Sequence, residues 1–274
     1  MPNQVSRKSV VRLLGVLPAL LLGISNICSA ETVLVTGANS GIGLEFSKQY
    51  AQKGWTVIAT HRRAEIPDTL KELASKHKNV RVEQMDVTSH EQVTGLAQKL
   101  RDQPIDVLIN NAGIFCLCDW MDESDTSQVF GSLKFDDFAP IMEVNVRGVA
   151  MVSEAFIQHV KASNQKKIVT ITSTLGSLSN PEAGLSALWY GASKAAANRL
   201  NVAIAATVRK DNVIVVPIHP GSVRVEKQAG VDKTVNPQVL EVPFSVSQMI
   251  ATIDKLTMSR SGKVLRYDGV ELPW

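Results

Sequence analysis

Cysteine is scarce in this chain, with 3 in 274 residues. Cys28 lies in a leader segment, which leaves Cys116 and Cys118 as a CxC pair with no further cysteine and no histidine nearby. That spacing makes a poor zinc site and an awkward disulfide, so the pair reads as two incidental thiols and no metal is expected. An excess of one charge is also missing. The formal charge is +3, but Arg7, Lys8 and Arg12 account for it, and beyond residue 30 the chain balances 26 basic against 26 acidic residues. No electrostatic footprint for nucleic acid remains. Internal repeats, low-complexity tracts and an interdomain linker are absent as well. What is present, 45% hydrophobic and 20% charged residues, suits one large α/β domain with a substantial core.

Residues 1–30 read as a targeting segment: a basic start, an uncharged apolar run from Leu13 to Ile27, then the small residues Ser29 and Ala30. The run is short for a membrane span. Cleavage after Ala30 is expected, and SRKSVVR resembles a weakened twin-arginine export signal with Lys8 in the place of the second arginine. An exported location follows if the leader works. An uncleaved leader would tie the chain to a membrane, and a mis-assigned start codon would leave it cytoplasmic.

From residue 31 onward, strand-like and helix-like patterns alternate, which predicts a single-domain, doubly wound parallel sheet of about seven strands over 31–274. ETVLVT reads as a buried strand and breaks into GANSGIG, with Gly37, Gly41 and Gly43 spaced GxxxGxG before a helical run. Glycines there let the backbone turn sharply and approach a pyrophosphate, whose charge helix N-terminal amides can meet. A second strand, WTVIAT, is followed by His61, Arg62 and Arg63. An acid at this point would bind the ribose hydroxyls of NAD. Cations without an acid favour the additional phosphate of NADP, unless they are plain solvated arginines.

Asp86 ends a third strand, where it either contacts an adenine or precedes a helix capped by Ser89. The strand Ile105 to Ile109 runs into Asn110, Asn111, Ala112 and Gly113, which suit ribose binding or a simple turn. Phe115 to Gly131 forms a long loop, as expected of a lid or a disordered bulge. One helix is predicted from Phe135 to Lys161, with Asn145 in its core either bridging to water or interrupting the helix. Pro220 and Gly221 end a sixth strand at the sheet edge the other motifs share.

The stretch from Val169 to Lys194 carries the chemistry. Ser173 closes a β-branched run, and Tyr190 and Lys194 stand at i and i+4, on one face of a predicted helix. An ammonium beside a phenol stabilises the phenolate, which would fit Tyr190 for acid and base work near neutrality. The alternative is an ordinary exposed helix face.

Taken in order, TGANSGIG, Asp86, NNAG, Asn145, Ser173, YGASK and HPG make the chain resemble the short-chain dehydrogenases/reductases of the classical type. GLEFSKQYAQKGWTVIATHRR, PIDVLINNAGI and DGVELPW bring it nearest to the C-factor-like group. The resemblance implies a Rossmann-type fold and hydride transfer between NADP, or NAD, and a small carbonyl or alcohol substrate. It implies that Ser173 polarises the carbonyl, Tyr190 moves the proton, Lys194 lowers the tyrosine pKa and holds the nicotinamide ribose, and Asn145 positions a relay water. It further implies that Thr36, Asn39, Ser40 and Ile42 join the glycines around the diphosphate, that Val223 meets the carboxamide, and that the protein is a dimer or tetramer. The chain departs from the pattern in a longer spacing from Ser173 to Tyr190, which brings Ser177 into contention, and in Val225 where a threonine is usual. The loop after Ile114 also has no counterpart in that pattern. A second reading is a nucleotide-binding signalling or interaction protein with incidental turnover.

Overall fold

Four short runs, TVLV, VLIN, KIVTI and IVVPIH, are almost wholly buried, as expected of parallel strands covered on both faces. A computed structural model describes Met1 and residues 30–117, 126–180, 182, 184–224 and 239–274. The leader and Val225 fall outside these residues. In chain order the elements are β1 (Thr32–Val35), α1 (Gly41–Gln52), β2 (Thr56–His61), α2 (Asp68–Lys76), β3 (Val80–Gln84), α3 (His90–Lys99), β4 (Val107–Asn110), α4 (Phe138–Met142), α5 (Val149–Lys161), β5 (Lys167–Ile171), α6 (Leu188–Val208), β6 (Ile214–His219), β7 (Val223–Arg224), β8 (Leu240–Glu241), α7 (Val242–Asp254) and β9 (Leu265–Arg266).

The seven-stranded sheet has the order β3-β2-β1-β4-β5-β6-β9, and every pairing in it is parallel. The order reverses between β1 and β4, and the crevice at the carboxyl ends of those strands is where open α/β sheets take ligands. Alternation along β1 splits the core. Val33 and Val35 pack with Phe46 and Tyr50 of α1 and with Met249 and Ile253 of α7. Leu34 faces the opposite layer, with Val93 of α3, Phe156 of α5 and Val208 of α6.

The two ends of the sheet differ. On β3, Glu83 is ion-paired with Arg81 and with Lys99 of α3. Beyond β9 the chain folds back on itself, with an antiparallel bridge from Leu265 to Glu271 and a bond from the Leu272 N–H to the Val264 carbonyl at 2.8 Å. Among the described residues no helix is long and apolar enough to cross a membrane.

The stretch predicted as one helix from Phe135 to Lys161 is instead a 3-10 turn (Phe135–Asp137), α4, a π-helical turn (Glu143–Gly148) and α5. Asn145 explains the break. Its Oδ1 accepts from the Ile114 N–H at 2.9 Å and its Nδ2 donates to the Ile114 carbonyl at 2.8 Å, so the helix gives up regular bonding where it is tied to the chain beyond β4. Gly148 fits the crossing, since a Cβ there would stand 3.0 Å from Cγ2 of Val87.

Candidate active site

The glycine turn after β1 is held from below by the residues after β4. Thr36 Oγ1 accepts from the N–H groups of Asn111 and Ala112, both at 3.0 Å, and Asn111 Nδ2 donates to the carbonyls of Thr36 at 2.9 Å and Gly37 at 3.2 Å. Gly37 has φ of +64°, and a Cβ on Gly43 would lie 2.4 Å from both Gly37 O and Asn111 Nδ2. Side chains are therefore excluded at both positions. Ser40 begins α1 without capping it, and no acid stands in the first turn, so that helix start carries positive potential without an internal anion.

Of the two readings of the asparagines, ribose binding or a turn, the side-chain bonds match the turn. Asn111 is spent on the turn, and Asn110, almost fully buried, donates to Ser153 Oγ at 3.0 Å. Neither side chain reaches out to a ligand. Asp86 likewise makes a local turn, its Oδ1 accepting from Thr88 N–H at 2.9 Å and Thr88 Oγ1 at 2.8 Å, while Ser89 caps α3 as expected. Arg62 and Arg63 are exposed just past β2 and pair with no acid among the described residues.

At the other side of the crevice, Ser173 stands two residues past β5 and caps the 3-10 turn Thr174–Gly176, accepting from Leu175 N–H at 3.2 Å. That turn packs against α6 so closely that a Cβ on Gly176 would be 2.6 Å from Ala195 N, and one on Gly191 would be 2.8 Å from Leu175 O. The two glycines of TLG and YGASK thus set the distance between strand end and helix. The Ser173 side chain is near enough to the Tyr190 phenol to favour its ionised form. Ser177 instead donates to the Pro273 carbonyl at 3.0 Å.

Lys194 is buried, its Nζ donating to the Ile171 carbonyl at 3.0 Å and standing 5.4 Å from the centre of the Tyr190 ring. Burial pushes its ammonium down to about 8. Burial also pushes the Tyr190 phenol up to about 12, against which the nearby Ser173 side chain acts. Burial of the phenol is the largest influence on Tyr190, so its pKa is raised rather than lowered as expected beside Lys194. A Cβ on Gly113 would lie 3.2 Å from Asn145 Oδ1 and 3.6 Å from Lys194 Nζ, so these side chains converge on the backbone that ends β4.

Asn145 does not offer its amide hydrogens to water. One goes to Ile114 O and the other to Ser193 Oγ at 3.0 Å, and Ser193 in turn donates to Tyr190 O at 2.7 Å. The sequence reading missed Ser193, although a serine at i+3 from Tyr190 is a recognisable back-bonding position. It also missed Phe115, whose ring centre is 4.7 Å from that of Tyr190, and Gln128, whose Oε1 accepts from Tyr190 N–H at 2.9 Å. Cys116 is disulfide-bonded, which corrects the reading of incidental thiols; Cys28 and Cys118 lie outside the described residues.

Pro220, Gly221 and Val223 flank the crevice beyond β6. The Pro220 carbonyl accepts from Ser245 Oγ at 2.6 Å, Gly221 has φ of +84°, and Val223 pairs with Leu240. His219 at the end of β6 is driven by burial down to about 4, with its Nδ1 unpartnered, so it is neutral at physiological pH. Among the described residues no cluster of His, Cys, Asp and Glu could hold a metal ion.

Residues 31–236 match the family model described as short chain dehydrogenase. The NADPH-bound carbonyl reductase from chicken fatty liver superposes with a TM-score of 0.79 at 27% identity, over 89% of this chain and 99% of that one. The 1-hydroxy-2-glutathionyl-2-methyl-3-butene dehydrogenase of Rhodococcus is 32% identical over 89% of this chain and 100% of its own length. The C-signal protein of Myxococcus xanthus is 33% identical over 62% of this chain and 93% of its own length.

Proposed function

The chain belongs to the short chain dehydrogenase family, and from that premise we propose that it is an NADP-dependent oxidoreductase acting on a small, fairly apolar carbonyl compound or the matching secondary alcohol. One observation carries the reading: Tyr190 and a buried Lys194 stand together, the lysine Nζ 5.4 Å from the tyrosine ring centre and bonded to Ile171 O at the end of β5, two residues before Ser173, at the sheet edge where the glycine turn also opens.

The residues fit a dinucleotide. The positive φ of Gly37, the absence of room for a side chain at Gly43 and the uncapped start of α1 make a cradle for a diphosphate among Gly37, Asn39, Ser40, Gly41, Ile42 and Gly43. The backbone of Ala112 and Gly113, Lys194, and the segment of Pro220, Gly221 and Val223 would take the nicotinamide half. Arg62 and Arg63, which pair with no acid among the described residues, supply the charge that an additional ribose phosphate needs. The chicken relative's NADPH supports the same choice. Bound there, the nicotinamide supplies or accepts the hydride.

The chain's own residues handle the oxygen and the proton. Tyr190, protonated throughout the neutral range, donates its proton to the substrate oxygen as the carbonyl is reduced, and Ser173 donates a second hydrogen bond to the same oxygen. Lys194 places positive charge beside the phenolate that remains. Exposed Leu178 and Leu185 on the segment between Ser173 and Tyr190, together with half-exposed Phe115, favour an apolar substrate.

Tryptophan fluorescence of the purified protein, titrated with NADPH and NADH, tests the reading before any substrate is known. Tight NADPH and weak NADH binding is expected, followed by NADPH oxidation on a panel of aldehydes, ketones and quinones. Equal affinities would overturn the NADP assignment, and no binding of either would overturn the enzyme. The likeness to the Myxococcus C-signal protein favours a second reading, an interaction role with incidental turnover. A Tyr190→Phe variant that binds NADPH and keeps its full biological effect would select it.

A further inference from the structure

The helix that carries Tyr190 begins at a residue that cannot cap it. Ala187 occupies the N-cap position of α6 and has no side-chain acceptor, although the first amides of a helix need partners from outside it. The partners come from far away in sequence. Leu188 N–H donates to the Gln128 carbonyl at 3.0 Å, and Tyr190 N–H, the third of the helix, donates to Gln128 Oε1 at 2.9 Å. A single residue 62 positions before Tyr190 thus satisfies two amides of its helix turn.

Gln128 is only 3% exposed, and the other end of its side chain is equally committed. Its Nε2 donates to the Phe115 carbonyl at 3.0 Å, and the Phe115 ring lies tilted against the Tyr190 ring at 4.7 Å. The contacts close on themselves: Gln128 holds the backbone of Tyr190 and of Phe115, and Phe115 covers the Tyr190 ring. Nearby, Trp189 Nε1 donates to Lys134 O at 3.0 Å and pins the same segment to the same helix turn.

We propose that Gln128 is a positioning residue for the reaction, fixing the Tyr190 phenol through the start of α6. The proposal rests on the reading of Tyr190 as the acid. Proton transfer needs the phenol within hydrogen-bond reach of the substrate oxygen, and a displacement of about 1 Å costs about a hundredfold in rate. Lys194 sits one turn deeper in α6 and Ser173 follows β5, so both are held without Gln128. Loss of Gln128 therefore misplaces the phenol relative to two groups that stay in place. The Gln128 hydrogen bonds run to Phe115, Leu188 and Tyr190, none of them in the glycine turn, so the cofactor should continue to bind.

The test uses the full-length protein in three variants. Gln128→Met retains the side chain's length without an acceptor or donor, Gln128→Glu retains the acceptor for Tyr190 N–H, and Tyr190→Phe removes the acid. Gln128→Met should lower kcat by about tenfold or more with NADPH affinity and the KM for the carbonyl substrate within about twofold of wild type, and Gln128→Glu should recover most of that loss. Wild-type kcat in Gln128→Met overturns the proposal, as does a Gln128→Glu variant no better than Gln128→Met. If Gln128→Met does not fold, Gln128→Glu decides alone: kcat within about threefold of wild type supports the proposal, and a loss of about tenfold or more with intact NADPH binding overturns it. An active Tyr190→Phe variant removes the acid assignment and the Gln128 proposal with it. An inactive one beside a fully active Gln128→Met removes the Gln128 proposal alone.

Discussion

The two sides of the crevice are built on opposite principles. Around β1 and β4 the protein presents backbone: glycines with no room for a Cβ, amides at the start of α1, and two asparagines turned inward, Asn111 to the turn and Asn110 to Ser153 of α5. Around β5 and α6 it presents functional groups, and it pays in stability by burying a lysine and a tyrosine whose ionised forms are both disfavoured there. The first side is sensitive to added volume and the second to changed chemistry. A mutation should therefore separate binding from turnover according to the side on which it falls.

The sharpest separation is expected at Tyr190. Tyr190→Phe should lower kcat by about 10²–10⁴-fold while NADPH affinity, measured by fluorescence titration, stays within about twofold. A comparable loss of binding would break the contrast. Gly43→Ala belongs to the other side: its Cβ would stand 2.4 Å from Gly37 O, so the turn must shift. The variant should lose cofactor binding, and urea melts should show it to be less stable by about 1–3 kcal/mol. Arg62→Ala combined with Arg63→Ala should weaken NADPH about 10–100-fold and leave NADH unchanged, since only the additional phosphate is lost as a partner.

Lys194→Met gives a small change in stability, and its sign is the most diagnostic. Burial lowers the Lys194 pKa from 10.5 to about 8, so between those values the unfolded chain binds the proton that the folded chain has released, and stability rises with pH through that window. Below pH 8 both states are charged and the buried ammonium costs on the order of 1–3 kcal/mol. The methionine variant should therefore be inactive yet more stable at pH 7 by about that amount, with a flat profile between pH 8 and 10.5. A variant less stable than wild type at pH 7 would show that the bond to Ile171 O outweighs the desolvation.

Much of this was legible in the sequence because the signals were local. The strand runs, the glycine turn and the i,i+4 pair of Tyr190 and Lys194 each declare themselves within a few residues. Ser173 was legible by motif but not by spacing, because the turn Thr174–Gly176 and the loop beyond it take up residues that spacing alone would assign to Ser177. The helix predicted from Phe135 to Lys161 is interrupted at Asn145, one of the two outcomes expected of a core asparagine, but its partner Ile114, 31 residues away, could not be read from the sequence. Gln128 was invisible for the same reason: an isolated glutamine in an irregular loop carries no periodicity, and its importance arises only when the loop meets the start of α6. Asn110 and Asn111 were placed correctly at the crevice but left between ligand and turn, because sequence does not show which way a side chain turns.

The ends of the sheet carry a consequence for how copies of the chain meet. A parallel sheet finishes in unpaired backbone groups that can recruit a strand from another molecule. Here one margin, β3, is guarded by the charges of Arg81, Glu83 and Lys99, and the other, β9, is covered by the chain's own return through Val270 to Leu272. Neither margin offers a bare ladder for runaway strand addition. A strand from a second molecule would find charge at one margin and a margin already occupied by this chain at the other.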